Sequence, residues 1–392
     1  NHRDEHRNAP LARAGTMRDI RGYPSRMKEE YGQEADLSSA GFTISIACNL
    51  KPEDVRELPT ASRRGASDSY EEYDSLETVE AIARQVRDLG FAAEILEQDD
   101  RFLSKIEQNP PDFVLNIAEG RGTSRGREAQ VPAILESLGI PFSGSDSVSM
   151  SLSLDKYLTN RALAGESVPV PKAFLFRKGA RVSLPEQETR WVVKPRFEGS
   201  SKGIFPDSLV KDESEARARV DRIWSLYHQD AIVEEFLPGD EITVGIFGNE
   251  EPWAGGMMRI APTAKEEGTF LYSLEHKRDW KNRVRYEGPD MIPAEVREKA
   301  EACALMAFRA LELRDVSRID LRLDAAGNPH VIDVNPLPGL SPTYSDLPIL
   351  YRLSGGTYAD IIKTILSLAL RRNGISRSVL PLKPAEKRSV NE

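Results

Sequence analysis

The run 316–335, VSRIDLRLDAAGNPHVIDVN, alternates apolar and polar residues on both sides of AAGN, and no other segment restricts the fold as much. A period of two puts successive side chains on opposite faces, so the run predicts a β-hairpin with one apolar and one polar face. With residues 325–328 as a four-residue loop, Asp324 faces Pro329, Asp320 faces Asp333 and Arg318 faces Asn335. Ile319, Leu321, Leu323, Ile332 and Val334 then make the core side. Carboxylates directly opposite one another on a sheet repel unless a proton or a cation lies between them. Asp320, Asp333 and Asn335 offer three hard oxygen ligands and leave room for water and phosphate oxygens, which is how Mg2+ is usually held. The bland alternative is a solvated sheet face; the register, Arg318 and the Pro-rich turn after Asn335 weigh against it.

Around this hairpin the chain divides by pattern. At 392 residues it is long enough for two or three domains. Residues 1–40 are polar and aperiodic and predict a mobile arm. GFTISIACNL then reads as a strand. Leu76, Val79, Ile82, Ala83, Val86 and Leu89 form one helix face that stops at Gly90. The strands FAAEIL and PDFVLNIA follow, then a polar loop and a helix through Leu138 ended by Gly139. Strands alternating with helices of this length predict a parallel sheet in a first α/β domain over 41–150, bordered near Gly144. Beyond it come a helix in DKYLTNRALAG, antiparallel strands around 191–204 and 231–248, a long helix over 293–313, the hairpin, and a last helix in YADIIKTILSLALRR. The tail 376–392 reads as disordered, and no internal repeat is present.

Composition excludes several classes of function. A net charge of -9 argues against a nucleic-acid binder that works by bulk electrostatics. The two cysteines, Cys48 and Cys303, have no partner at metal spacing and read as buried bystanders. No run approaches the roughly 20 apolar residues of a membrane span, and no targeting signal opens the chain, so the expectation is a cytoplasmic protein.

Two further segments suit a nucleotide. WVVKPRFEGSSKGI reads as a strand delivering Lys194, then a loop whose Gly199, Ser200, Ser201 and Gly203 bring backbone N–H groups towards phosphate oxygens. No Walker motif occurs in the chain. In IVEEFLPGDEITV, the main chain of Glu234, Glu235, Phe236 and Leu237 can meet an adenine edge, and Glu241 can accept from ribose hydroxyls. Taken singly, each segment is better read as a plain hairpin.

In order along the chain, LGIPFSGSDSVSMSLSLDKYLTNRALAGESVPVP, VVKPRFEGSSKG, EEFLPGDEITV and SRIDLRLDAAGNPHVIDVNPLPGLSP resemble the ATP-grasp superfamily, and within it the D-alanine–D-alanine ligase family. The resemblance implies an ATP-grasp fold of mixed α/β and α+β class. An N-terminal parallel α/β domain would precede two α+β subdomains, over 151–245 and 246–375, that clamp ATP. It implies Lys156, Lys194 and Lys277 as ATP-binding lysines, Ser200 and Ser201 in a loop that closes over the phosphates, and Glu234, the main chain of Glu235, Phe236 and Leu237, and Glu241 against adenine and ribose. Asp320, Asp333 and Asn335 match ligands of two Mg2+ ions, for which Mn2+ substitutes; Arg318, Gly339 and Ser200 match catalytic groups. Such enzymes phosphorylate a carboxylate with ATP and let an amine attack the acyl phosphate. The partners implied are therefore a small-molecule carboxylate and an amine, with no nucleic acid or membrane, in a homodimer joined through the first domain.

The sequence departs from the family where substrates are touched. The first strand ends in ACNLKPEDV with no Glu at the position that holds the ammonium of the first alanine. Lys277 is followed by Arg278 where the family has Tyr; Tyr344 replaces a small residue, and Asp333 a metal-binding Glu. NIAEGRGTSRGREAQVPAI resembles a branch devoted to specialised peptide or amino-acid ligation. It places Glu119, Arg127 and Glu128 at the substrate, with Arg121, Arg125 and Arg127 available to an acidic one or simply solvated. The leading expectation is a carboxylate–amine ligase whose acid is not D-alanine. D-alanine–D-alanine ligation itself and a non-catalytic ATP-binding subunit are the alternatives.

Overall fold

The computed structural model describes residues 41–52, 70–185, 190–263 and 270–375; the expected N-terminal arm and C-terminal tail lie outside them. The chain opens with β1 (Thr43–Cys48), α1 (Leu76–Asp88), β2 (Ala92–Glu97), α2 (Phe102–Gln108) and β3 (Phe113–Asn116). These strands form a parallel sheet in the order β2-β1-β3, with β1 buried along almost its whole length, as a central parallel strand must be. Helix α1 starts where the Ser75 hydroxyl accepts the Thr78 N–H at 3.2 Å and stops before Gly90, whose φ is 85°. Val79, Ile82, Ala83 and Val86 are buried as predicted, whereas Leu76, in the first turn, is 49% exposed.

Three helices follow: α3 (Gln130–Leu138), ended by Gly139 in the left-handed region at φ 67°, α4 (Ser147–Leu154) and α5 (Lys156–Gly165). Helix α4 was not foreseen, because SVSMSLSL alternates like a strand. Its start is dictated by Asp146, whose carboxylate accepts the N–H groups of Val148 and Ser149. Asp155 caps α5 in the same way, accepting from Leu158 at 3.1 Å.

A second sheet, antiparallel in the order β4-β7-β5-β6, comprises β4 (Ala173–Phe176), β5 (Trp191–Pro195), β6 (Leu209–Val210) and β7 (Ala231–Glu235), backed by α6 (Glu213–Tyr227). The third sheet runs β10-β9-β8-β11-β12 and contains β8 (Glu241–Gly248), β9 (Trp253–Pro262), β10 (Val284–Glu287), β11 (Asp315–Leu323) and β12 (Pro329–Asn335). Between β9 and β10 lie the short helices α7 (Leu274–Arg278) and α8 (Trp280–Arg283). Helix α9 (Ala294–Ala310) covers one face of this sheet, and α10 (Asp346–Leu353) with α11 (Tyr358–Arg372) covers the other. Ile361, Ile365 and Leu366 of α11 share one core with Ile44, Ile46, Val79 and Ile82, so the last helix joins the first sheet to the third. The boundary expected at 245/246 falls inside β8, whose whole length belongs to the third sheet.

The hairpin has the expected pairs Arg318–Asn335, Ile319–Val334 and Asp320–Asp333. Towards the turn it differs. Leu321 pairs with Val331 and Leu323 with Pro329, so Ile332 is the extra residue of a β-bulge and the loop has five residues, 324–328. Asp324 fixes that loop by accepting the N–H groups of Ala326 and Asn328 at 2.9 and 2.8 Å. Val331, not Ile332, takes the core position. The Ile332 carbonyl instead accepts from Lys194 Nζ at 3.0 Å.

Candidate functional site

The polar face of the hairpin is a closed set of charge pairs. Arg318 donates through Nε and Nη2 to the two oxygens of Asp320 at 2.9 and 2.8 Å; Asn335 Nδ2 and Thr243 Oγ1 donate to the same carboxylate, each at 3.1 Å. From the first turn of α5, Lys156 Nζ reaches Asp333 Oδ1 at 2.6 Å. The repulsion expected between the facing acids is thus met by one cation on each. Burial alone would raise the Asp333 pKa, but Lys156 and Lys194 outweigh it and hold the carboxyl below its usual range. Arg318, 8% exposed, stays charged against burial because Asp320 binds it and Asp346 lies 3.5 Å away. Among the described residues no group of three or more His, Cys, Asp or Glu side chains is arranged to hold a metal. Two carboxylates and an amide oxygen still fit Mg2+, which keeps several waters and completes its shell with substrate phosphates.

Beside this face, Lys156, Lys194, Glu234, Glu235, Phe236, Leu237 and Glu241 line a narrow slot of about 80 Å³. Lys194 Nζ pairs with Glu234 Oε2 at 2.6 Å. The N–H groups of Glu235 and Phe236 donate to the Lys172 and Arg190 carbonyls, and Arg322 Nε donates to the Leu237 carbonyl. Glu241 faces Arg322 Nη1 at 3.3 Å, and burial, opposed by Arg322, pushes its carboxyl up to about 7. In the 199–203 loop, Ser200, Ser201 and Gly203 all have positive φ, at 47°, 58° and 72°. One expectation fails here. The Gly199 N–H, predicted to approach phosphate, donates to Glu72 Oε1 at 2.7 Å. The Ser201 hydroxyl donates to the Tyr272 carbonyl at 3.0 Å and ties this loop to the segment before α7. The slot is smaller than the few hundred Å³ typical of ligand sites, so admitting a nucleotide requires these two loops to part.

A second cavity, of about 400 Å³, brings together the other residues singled out in the sequence. Arg318, Asp333, Asn335, Gly339 and Tyr344 form one side, Ser200 of the 199–203 loop with Lys277 and Arg278 of α7 the roof, and Glu119 and Glu128 the far wall. It shares Lys156, Glu198, Tyr272, Lys277 and Asp333 with the slot, so the two spaces meet at these residues. Burial lowers the Lys277 pKa, an effect that Asp346 partly offsets. Arg278 pairs with Glu71 across the cavity mouth at 2.5 Å.

The loop 119–128 departs from its reading as a basic, solvated or acid-binding segment. Arg127 is 4% exposed, 2.8 Å from Glu72 and 3.7 Å from Glu128, and it donates to the Phe197 carbonyl at 2.6 Å. Its guanidinium is therefore committed within the protein, because a buried cation needs such partners. Arg121 pairs with Asp100, and Arg125 lies 3.6 Å from Asp155. Glu72 went unnoticed in the sequence: EEYD has no periodicity and no motif. It accepts from Arg127, Lys202 and Gly199, and despite burial the two cations keep it ionised. A carboxylate missing from the first strand end is thus present on the cavity wall from another segment.

The fold and these motifs have known counterparts. The domain family described as D-ala D-ala ligase C-terminus matches residues 179–367. An uncharacterized protein of Sinorhizobium fredii is 31% identical over 317 residues, covering 76% of this chain and 89% of its own. A D-alanine–D-alanine ligase of Synechococcus sp. (strain JA-3-3Ab) is also 31% identical over 317 residues, covering 79% of this chain and 93% of its own. Two crystal structures of D-alanine–D-alanine ligase from Bacillus anthracis, the second complexed with ATP, superpose with TM-scores of 0.64 and 0.61 at 20% and 21% identity. Each covers 85% of this chain and 99% of that one.

Proposed function

Because the chain belongs to the D-alanine–D-alanine ligase family and has its ATP-grasp fold, we propose that it is an ADP-forming carboxylate–amine ligase acting through an acyl phosphate. The observation that carries this reading is the junction of slot and cavity. There Lys156 and Asp333, with Lys277, stand between the slot lined by Lys194, Glu234 to Leu237 and Glu241 and the Arg318 face.

On this reading Lys156 and Lys194 bind ATP phosphates, Glu241 accepts from the ribose, and Glu235 to Leu237 border the adenine. Asp320, Asp333 and Asn335 would hold Mg2+, whose chemistry is to neutralise phosphate charge and orient the phosphoryl group for in-line transfer. A carboxylate oxygen of the acid attacks the γ-phosphorus as the bond to the bridging β–γ oxygen breaks, releasing ADP. The amine nitrogen then attacks the acyl carbon, the bond to the phosphate oxygen breaks, and inorganic phosphate leaves as the amine loses a proton. Arg318 and Gly339 line the cavity in which the tetrahedral oxyanion would form, and on this reading the Arg318 guanidinium and the Gly339 N–H stabilise it; preorganised donors of this kind contribute about 3 kcal/mol each. Lys277, its pKa lowered by burial, lies where charge moves between the two spaces.

The test is to incubate the protein with ATP, Mg2+, hydroxylamine and pooled carboxylic acids and to look for hydroxamates by mass spectrometry. A hydroxamate formed with stoichiometric ADP supports the acyl phosphate. ADP and phosphate without any acylated product would refute it. Hydroxamate formed from D-alanine in preference to every other acid would return the protein to cell-wall ligation.

A further inference from the structure

The far wall of the cavity carries more negative charge than the protein neutralises. Glu72, Asp74, Glu119, Glu128 and Glu198 all line it, whereas the cations among them are Lys51, Arg127 and Lys202. Arg127 and Lys202 are taken by Glu72, Glu128 and Glu198, at 2.8 and 3.7 Å for the first and 3.3 and 2.5 Å for the second. The side chains of Asp74 and Glu119 form no hydrogen bond or ion pair among the described residues, and both remain partly open to the cavity. A second observation comes from the same cavity. Ser153 is 3% exposed, lines this cavity, and has a hydroxyl without a partner. Buried polar groups are normally satisfied, so an orphaned hydroxyl in the cavity that also holds two unpaired carboxylates points to a partner from a ligand.

At the opposite end of the cavity Lys277 and Arg318 stand with Asp333 and Asp346, and on the ligase reading the reacting carboxylate of the acid lies on this side. A ligand filling the space is therefore anionic at one end and cationic at the other, with two excess negative charges to answer. A single α-ammonium answers one. Resting on the ligase reading, we propose that the acyl donor is a diamino carboxylic acid, an amino acid whose side chain bears a second ammonium group, held by Glu119 and Asp74 with Ser153. In the structure as it stands, burial, opposed by Lys51, pushes Asp74 up to about 7, and burial with Glu128 and Glu72, opposed by Arg127, raises Glu119 well above the carboxylate range.

Single acids in the hydroxylamine assay test this: both hands of lysine, ornithine and 2,4-diaminobutyrate against both hands of alanine, glutamate and norleucine. The expected result is hydroxamate from a diamino acid with kcat/KM about a hundredfold above norleucine or alanine. In E119Q the KM for that acid rises about tenfold while the KM for ATP is unchanged, a split that a general structural defect would not produce. Hydroxamate from an acid with a single ammonium, at an efficiency equal to or above every diamino acid, would overturn the proposal and leave the ligase reading intact. If no acid reacts, the ligase reading fails by itself. Calorimetric titration of lysine and ornithine into the full chain with ADP and Mg2+ then decides the subsite, where heats that are absent, or identical in E119Q, overturn it.

Discussion

Asp320→Asn tests the hairpin face most directly. The carboxylate accepts four hydrogen bonds, from Arg318 Nε and Nη2, Thr243 Oγ1 and Asn335 Nδ2. Asparagine keeps the shape and one acceptor oxygen, but it turns the other oxygen into a donor. If that donor faces Arg318 Nη2 and Asn335 Nδ2, which stand 2.8 and 3.1 Å away in the native protein, two contacts are lost. Breaking a buried ion pair by removing one partner costs about 3–5 kcal/mol. Asp346, 3.5 Å from Arg318 Nη1, remains as a charge partner and favours the lower end of that range. If the whole cost falls on transition-state stabilisation, about 3 kcal/mol corresponds to a drop in turnover of about 150-fold. The loss of a metal-binding oxygen adds a separate signature, an increase of about tenfold in the Mg2+ concentration for half-maximal rate. The assay is ADP release with hydroxylamine as trap across a Mg2+ titration, with circular dichroism as the check on folding. Turnover within about threefold of wild type, with unchanged Mg2+ dependence, would refute both the metal assignment and the role of Asp320 in positioning Arg318. A fall in turnover at unchanged Mg2+ dependence would keep the positioning role and remove the metal one.

Two other outcomes follow from buried carboxylates. Because burial raises Glu241 from 4.5 to about 7, the folded chain holds a proton that the unfolded chain releases, so the stability this group contributes is present below pH 4.5 and is lost as pH rises through 7. Thermal melts of the nucleotide-free protein are expected to fall over that window, with about 3 kcal/mol of the change due to Glu241, and E241Q is expected to flatten the slope; an identical slope in the variant contradicts the assignment. Asp315 is fully buried and accepts from the Gly144 N–H and from Arg372 Nη2, both at 2.8 Å, tying the start of β11 to α11 and to the end of the first α/β unit. D315N is expected to cost about 3 kcal/mol and lower Tm by about 10 °C in scanning calorimetry. A Tm equal to wild type would show that the junction is held by the apolar core alone.

The hairpin shows how far reading by pattern reaches. Alternation placed Asp320 opposite Asp333 and Arg318 opposite Asn335 because register near the polar end depends on a local period of two. The bulge at Ile332 was illegible: it arises from the Asp324 side chain bonding the loop backbone, a choice between two loop lengths that the apolar pattern tolerates equally. Helix α4 was lost for a similar reason, since its capping Asp146 outweighs a strand-like alternation in SVSMSLSL.

What the sequence determined by itself are the features set by neighbours along the chain: the helix face of α1, the stop at Gly139, the hairpin pairs from Arg318–Asn335 to Asp320–Asp333, and the ordered motifs that mark the family. What only the tertiary structure decided is which charges meet. Lys156 and Asp333 lie 177 residues apart, Gly199 and Glu72 127 apart, and Arg127 and Glu72 55 apart. No local period encodes such pairs. They form because burial removes water from these groups, and each must then find a partner on whichever segment the packing of the sheets brings beside it.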